Sequence, residues 1–269
     1  MLPGVYLAKK KNGNIYYRSS ITYKNKHISL GSYTREIDAH SAYAEAHYLT
    51  THPNISISDY RKENTILYFE KWVCMINFRD NGLYIKTPIY LKQHFFYYYL
   101  SPKKILTFEI DDLFYFSSHK IMQRNGYLFV SDYGMQINIL SRFGIKNYAV
   151  PGIDYYYLNG DENDFRYNNI IVVNPYYGVR KIEKENDNVY FQTKIHLNGD
   201  FLIGNYNTIE EAAVAYNKAV DLAKKNGWNK NFETNYILSL TAKDYANTYM
   251  KINISKKFLE YLKNSPSKI

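Results

Sequence analysis

One spacing occurs at both ends of the chain, and it restricts the fold more than any other feature. Counting from Gly204, Tyr206 lies at +2, Ala212 at +8, Ala215 at +11, Tyr216 at +12 and Ala219 at +15. Counting from Gly31, the residues Tyr33, Ala39, Ala42, Tyr43 and Ala46 fall at the same offsets. Ahead of these glycines, Gly4-Val5 matches Gly178-Val179, and Ile21 matches Ile195 within one residue of loop length. The two ends read as copies of one unit with other structure between them.

The C-terminal copy, Gly178 to Asn226, shows what the unit is. From Tyr190 onward, Phe191, Thr193, Ile195 and Leu197 alternate with Tyr190, Gln192, Lys194 and His196, the period of a half-buried strand. Asn198-Gly199 predicts a two-residue hairpin turn with positive φ, and the strand FLIGNY returns from it. Thr208 and Glu211 form the sequence of a capping box, and the helix that follows carries Ala212, Ala213, Ala215, Tyr216 and Ala219. Small residues let that helix lie close on the Phe191–Leu197 face. The opposite face, bearing Tyr190, Gln192, Lys194 and His196, is then left open, and a polar, basic and aromatic face of this kind calls for a partner.

The pattern Gly-Val, Tyr-x-x-x-Ile, Gly-x-Tyr and Ala-x-x-Ala-Tyr-x-x-Ala resembles the plant APETALA/ethylene-response-factor DNA-binding domain, in the integrase-type form of bacterial and phage proteins. The C-terminal copy matches through TIEEAAVAYNKA; TREIDAHSAYAEA in the first copy is looser. The resemblance implies a three-stranded sheet that lies in the major groove and reads bases from the side away from its helix. By position, the reading residues are Arg180, Tyr190, Gln192, Lys194 and His196, and in the first copy Tyr6, Tyr16, Arg18, Ser20 and Thr22. The chain departs from the plant pattern in lacking its strand tryptophans and in having fewer arginines.

Composition sets the remaining bounds. A length of 269 residues accommodates two or three small domains, and the net charge of +9 with a pI near 9.2 suits a polyanionic partner. Charge is uneven: residues 1–52 hold seven Lys/Arg against three acids, and the tail from Lys251 holds five Lys against one Glu. The single cysteine, Cys74, excludes an internal disulfide, fits a reducing compartment and reads as a small buried hydrophobe. The N-terminus runs directly into Gly4 and a strand, and no apolar run approaches membrane length. A cytoplasmic, nucleoid-associated location is therefore expected, with double-stranded DNA as partner and no membrane.

Lys9-Lys10-Lys11-Asn12-Gly13-Asn14 reads as a basic hairpin tip, open to phosphate contact or to solvent alone. His40 and His47, two helical turns apart and without matching cysteines or carboxylates, read as packing or surface residues. Between 55 and 150 the chain supplies core: Ile66–Phe78 mixes helix and strand signals, FFYYYL and TFEIDDLF read as strands, GYLFVSDYG as strand and turn, and INILSRFGI has helical spacing that stops at Gly144.

The second informative stretch is DYYYLNGDENDFRYNNIIVV, Asp154 to Val173. It resembles the HNH nuclease motif. Tyr156 and Tyr157 take the positions of the Asp/His-His pair, Asn159-Gly160-Asp161 the turn, Asp164 the central Asn, and Arg166, Asn169 and Ile170 the closing helix. In such nucleases a His deprotonates the attacking water while a divalent ion stabilises the phosphate. Here the base position is Tyr157, whose ordinary pKa near 10 suits that role poorly, and none of the seven histidines lies between 120 and 195. Three readings stay open: a tight turn held by Asn169; a former nuclease fold kept as a DNA-backbone contact through Arg166 or Asn168; and a metal site of Asp154, Asp161, Glu162 and Asp164.

The chain is thus expected to be α+β. Two terminal modules of a three-stranded sheet plus helix, 1–52 and 178–230, flank a mixed domain, 55–177, that ends in a degenerate ββα motif. C-terminal helices follow: one from Ala242 to Lys251 capped by Thr241, then a short helix and a basic end. No metal or other cofactor and no catalytic residue is expected. The expected function is sequence-specific duplex DNA binding by a transcription regulator, using two modules in one chain or four in a dimer. The alternatives are a metal-dependent HNH homing-type endonuclease and a scaffold that binds acidic proteins and never DNA.

Overall fold

The computed structural model of the chain describes residues 1–184 and 188–264, so the basic end expected at 265–269 lies outside the described residues. The fold is α+β, built from small antiparallel sheets and six α-helices among the described residues. The chain divides into two units: residues 1–139 with 157–169, and 140–156 with 170–269. The segment 55–177, expected as one domain, is divided between them. No helix among the described residues is long and apolar enough to cross a membrane.

The first unit opens with strands β1 (Val5–Lys9), β2 (Ile15–Tyr23) and β3 (Lys26–Tyr33), followed by helix α1 (Glu36–Thr51). The sheet order is β1-β2-β3, all antiparallel. Ile21, Ile28 and Leu30 are buried beneath Ala39, Ala42, Ala46 and Leu49 of α1. A sheet and helix of about 50 residues bury too little apolar surface to stand alone. Helix α2 (Phe69–Asn81) completes the core: Leu67, Trp72, Met75, Ile76 and Phe78 join the residues of the sheet and α1 in one cluster. Trp72 through Phe78 are all buried, which removes the one-sided periodicity of a surface helix and explains the mixed signal in the sequence. Cys74 is buried, with its thiol pushed up to about 12 by desolvation.

Beyond α2, strands β4 (Ile89–Leu91), β5 (Phe95–Ser101) and β6 (Lys104–Glu109) form a second antiparallel sheet. Helix α3 (Leu113–Ser118) then leads to a meander of β7 (Ile121–Arg124), β8 (Tyr127–Asp132) and β9 (Met135–Asn138). The helical spacing of INILSRFGI becomes a 3-10 turn over Ile139–Phe143, stopped at Gly144. Strands β10 (Tyr155–Tyr157) and β11 (Ile170–Val172) pair as a two-stranded ribbon.

The second unit repeats the first module as β12 (Val179–Glu183), β13 (Val189–His196), β14 (Asp200–Tyr206) and helix α4 (Ile209–Lys225). The capping box is formed: Glu211 N donates to Thr208 Oγ1 at 3.2 Å and Thr208 N to Glu211 Oε2 at 3.4 Å. Helices α5 (Ala242–Lys251) and α6 (Lys256–Asn264) follow, α5 capped by Thr241 Oγ1, which accepts from Asp244 N. Phe258 and Leu262 of α6, with Phe232, fill the core beneath Ile195, Ile203 and Ala219. The stretch after α4 folds back on it through Asn235, whose N–H donates to Asn217 Oδ1 at 2.8 Å and whose side chain bonds both backbone groups of Tyr177.

The copies share a defect as well as a plan. In each, the edge strand carries one extra residue, Leu30 or Ile203, opposite the Ser19/Ser20 or Thr193/Lys194 step. The N–H at the bulge donates to the carbonyl of the module's first glycine, Ser20 to Gly4 at 3.0 Å and Lys194 to Gly178 at 2.8 Å. The hairpins differ. Positive φ falls on Lys24 and Asn25 of the first copy, whereas neither Asn198 nor Gly199 adopts it. The second hairpin is one residue shorter: pairing ends at His196 and Asp200, and Leu197 N donates to Gly199 O. The predicted two-residue turn is therefore absent at Asn198-Gly199.

Candidate nucleic-acid interface

Each sheet has one side under its helix and the other facing out. On β13, Thr193 and Ile195 are buried while Lys194 and His196 are exposed, the alternation expected of the sequence. Register places Arg180 beside Gln192 and Gln192 beside Asn205, so these three side chains form one row across the outer face. Gln192 Nε2 lies 3.5 Å from Asn205 Oδ1. Below that row Lys194 neighbours Leu202, which is 45% exposed, and His196 neighbours Asp200. Lys184 Nζ lies 5.2 Å from the Tyr190 ring centroid, a cation–π arrangement.

The outer face of the first module is built from Tyr6, Tyr16, Arg18, Ser20 and Thr22, joined by His27, Ser29 and Ser32 of β3. Tyr6 is 57% exposed. Arg18 donates to the Tyr16 hydroxyl at 2.9 Å with its guanidinium carbon 5.6 Å from that ring's centroid. Thr22 Oγ1 and His27 Nδ1 are 3.4 Å apart. Ser20 is the exception, only 8% exposed: a short side chain at the bulge forms floor and does not project.

Strands β1, β2 and β3 contain no Asp or Glu. In the second module the strands hold Glu183, whose carboxylate pairs with Lys181, and Asp200, which pairs with His196 at 2.7 Å. The lysines at 9, 10 and 11 are exposed around the β1–β2 turn. Among the described residues, a phosphate approaching either outer face thus meets cations, hydroxyls and amides, and the carboxylates of the strands are already paired. Sequence reading missed Asn205 and Leu202 and, in the first copy, His27, Ser29 and Ser32. The bulge interrupts the alternation beyond Ser29 and Leu202, so counting by twos from the hairpin places Ser32 and Asn205 wrongly.

The HNH-like stretch has a different character. The helix expected at Arg166–Ile170 is a single 3-10 turn, Tyr167–Asn169, and Ile170 opens β11. Asn169 bonds backward, accepting from Asn159 N at 2.9 Å and donating to Asp164 O at 2.8 Å. Asp164 is buried and accepts from Arg166 Nε at 2.9 Å, Arg166 Nη2 at 2.7 Å and Asn159 Nδ2 at 2.9 Å. Burial alone would raise the Asp164 pKa, but the Arg166 guanidinium outweighs it and holds the carboxyl below its ordinary range. Tyr157 packs edge-on against Phe165, and Tyr156 is partly exposed.

The loop also has a structural task. Thr107 N donates to Asn163 O at 2.9 Å and Phe165 N to Thr107 O at 2.8 Å, so the turn covers the free edge of β6. Asp154, for its part, accepts from Val150 N and faces Lys146 at 3.4 Å, while Asp161 accepts from Asn163 N. Among the described residues no group of three or more His, Cys, Asp or Glu is placed to hold a metal ion. His40 serves packing, bonded to Pro3 O at 2.9 Å and stacked on Tyr43. Compared with protein-family models, with curated proteins and with solved structures, the chain matches none.

Proposed function

We propose that the protein binds double-stranded DNA in a sequence-dependent way, as a transcription regulator, reading the major groove with the outer faces of its two modules. The observation that supports this most is the outer face itself: free of the helices, cationic and hydrogen-bonding in both copies, and with no carboxylate on β1–β3. Strand elements fit the major groove, where each base pair presents a distinct set of donors and acceptors. In the second module, Gln192 suits adenine and Arg180 or Lys194 suits guanine. The resemblance drawn from the repeat spacing points to the same side of the same sheets. An HNH nuclease reading is less well supported, because the Asp164 carboxylate is already neutralised by a guanidinium.

Selection of the full chain against random duplexes tests the proposal. Recovery of one motif, with affinity falling steeply as salt rises, is the expected result. Enrichment of no motif, or binding that is insensitive to salt, overturns it.

A further inference from the structure

The second sheet of the first unit presents a face that duplex binding does not use. Along β5, Phe95, Tyr97 and Tyr99 alternate with buried Phe96 and Tyr98, and Tyr90 of β4 lies opposite Tyr97. The ring centroids of Phe95 and Tyr97 are 5.3 Å apart and those of Tyr97 and Tyr99 are 6.3 Å apart. The segment after α1 walls this face into a groove of about 470 Å³, lined among others by Tyr60, Arg61, Tyr90, Lys92, Tyr97 and Tyr99. Lys92 Nζ stands 5.0 Å from the Tyr90 centroid and 5.8 Å from that of Tyr97.

Charge decides what such a groove can take. Asp80, the one carboxylate of its lining, is bonded by Arg79 Nε at 2.6 Å and by the Tyr90 hydroxyl at 3.1 Å. Arg79 is itself tied to the carbonyls of Leu49, His52 and Ile55. Lys92 is then a cation of the lining that no lining carboxylate offsets. Arg61, whose Nη1 donates to Ser58 O at 2.7 Å and to Tyr60 O at 2.9 Å and whose charge also acts on Asp59 beside the groove, is the other. Aromatic surfaces flanked by cations are what unpaired bases and their phosphates require, since every base has a π-face.

We propose that this groove binds an unpaired stretch of nucleic acid, with bases against Tyr97 and Tyr99 and phosphates on Arg61 and Lys92. The proposal is independent of duplex reading by the modules. Trp72 supplies a local reporter: its Nε1 donates to Ser56 O at 3.3 Å, its ring is 5.6 Å from that of Tyr60, and Ser56 and Tyr60 both line the groove. Trp228 is the other tryptophan of the two, and its Nε1 is buried without a partner, so Trp228→Phe isolates Trp72 at little cost.

The experiment titrates the full-length Trp228→Phe protein with labelled dT12 and rU12, following anisotropy and Trp72 emission together. Saturable binding that changes Trp72 emission is expected, and the stronger of the two probes tells a DNA source from an RNA one. Tyr97→Ala and Lys92→Glu should each weaken it by about tenfold, and Lys92 is exposed enough that its variant tests the groove even where Tyr97→Ala fails to fold. Excess random duplex should not displace the single strand. Absence of saturable binding to both probes, indifference to both substitutions, displacement by duplex, or binding of a proline-rich peptide in place of the oligonucleotides overturns the proposal.

Discussion

The ring of Tyr216 occupies the space into which a side chain at Gly178 would project, and Tyr43 holds the same position over Gly4. Both glycines have positive φ, 68° and 75°. A methyl group at either position meets a ring and a backbone conformation that L-residues resist. At Gly178 it also meets the carbonyl oxygen of Lys194, which cannot swing aside as a ring can. Gly178→Ala is expected to destabilise its unit by about 3 kcal/mol and Gly4→Ala by about 2 kcal/mol, measured by denaturant unfolding of the full chain. Equal, negligible shifts would contradict the packing described.

A second comparison between the copies concerns one hydroxyl. Thr193 Oγ1 donates to Ala212 O at 2.9 Å, whereas the equivalent Ser19 Oγ is buried without a hydrogen-bond partner. Removing an orphaned hydroxyl relieves a desolvation penalty, and removing a bonded one loses a buried hydrogen bond that adds to the intrahelical bond on Ala212 O. Ser19→Ala should be neutral or stabilising, and Thr193→Val should cost about 1–2 kcal/mol. Thermal unfolding of the two variants side by side reads the difference.

Helix α4 depends on its cap in a way α1 does not, since Arg35 offers α1 no side-chain acceptor. Thr208→Ala should cost about 1 kcal/mol. Hydrogen exchange of the first turn of α4 should accelerate, while that of α1 stays as it was.

Asp164 predicts a pH dependence. Its carboxyl is depressed below the ordinary 3.8 by Arg166 against the opposing effect of burial. A depressed folded-state pKa gives stability that is fully present above the ordinary value and is lost as pH falls through the folded one. The midpoint of urea unfolding should therefore drop more steeply below about pH 4 in the natural protein than in Asp164→Asn. Asp164→Ala, which takes the acceptor from the Asn159 amide and the partner from a half-exposed Arg166, should cost about 1–3 kcal/mol at neutral pH.

On the outer face of the second module, Arg180→Ala and Gln192→Ala should each reduce affinity for a selected duplex by about 1–3 kcal/mol and relax preference at one base position. Lys194→Ala read the same way separates base contact from phosphate contact. Uniform weakening across all sequences, with a shallower salt slope, is the signature of a phosphate partner. Competition binding against single-base variants of the selected site makes the measurement.

Much of this was legible in the chain. The offsets from Gly31 and Gly204 located both modules, the alternation along Tyr190–Leu197 identified the outer face, and Thr208 with Glu211 set the start of α4 to the residue. Period and capping are local, so local sequence carries them. The bulge at Ser20 and Lys194 was not legible, because it depends on a hydrogen bond to a glycine carbonyl some 16 residues earlier in the chain. It buries Ser20 and moves Asn205 into the outer row beside Gln192.

The amino-acid order alone determined that two like units exist and which side of each faces out, since side-chain period leaves no other arrangement that buries the apolar set. Tertiary structure decided that neither unit completes its own core. Leu67, Trp72 and Met75 close the first, and Phe258 and Leu262 the second. It also decided that Asp164 serves a turn on the edge of β6, because only folding brings Thr107 against Asn163 and Phe165 on either side of it. Such contacts join residues through space, and no periodicity in the sequence records them.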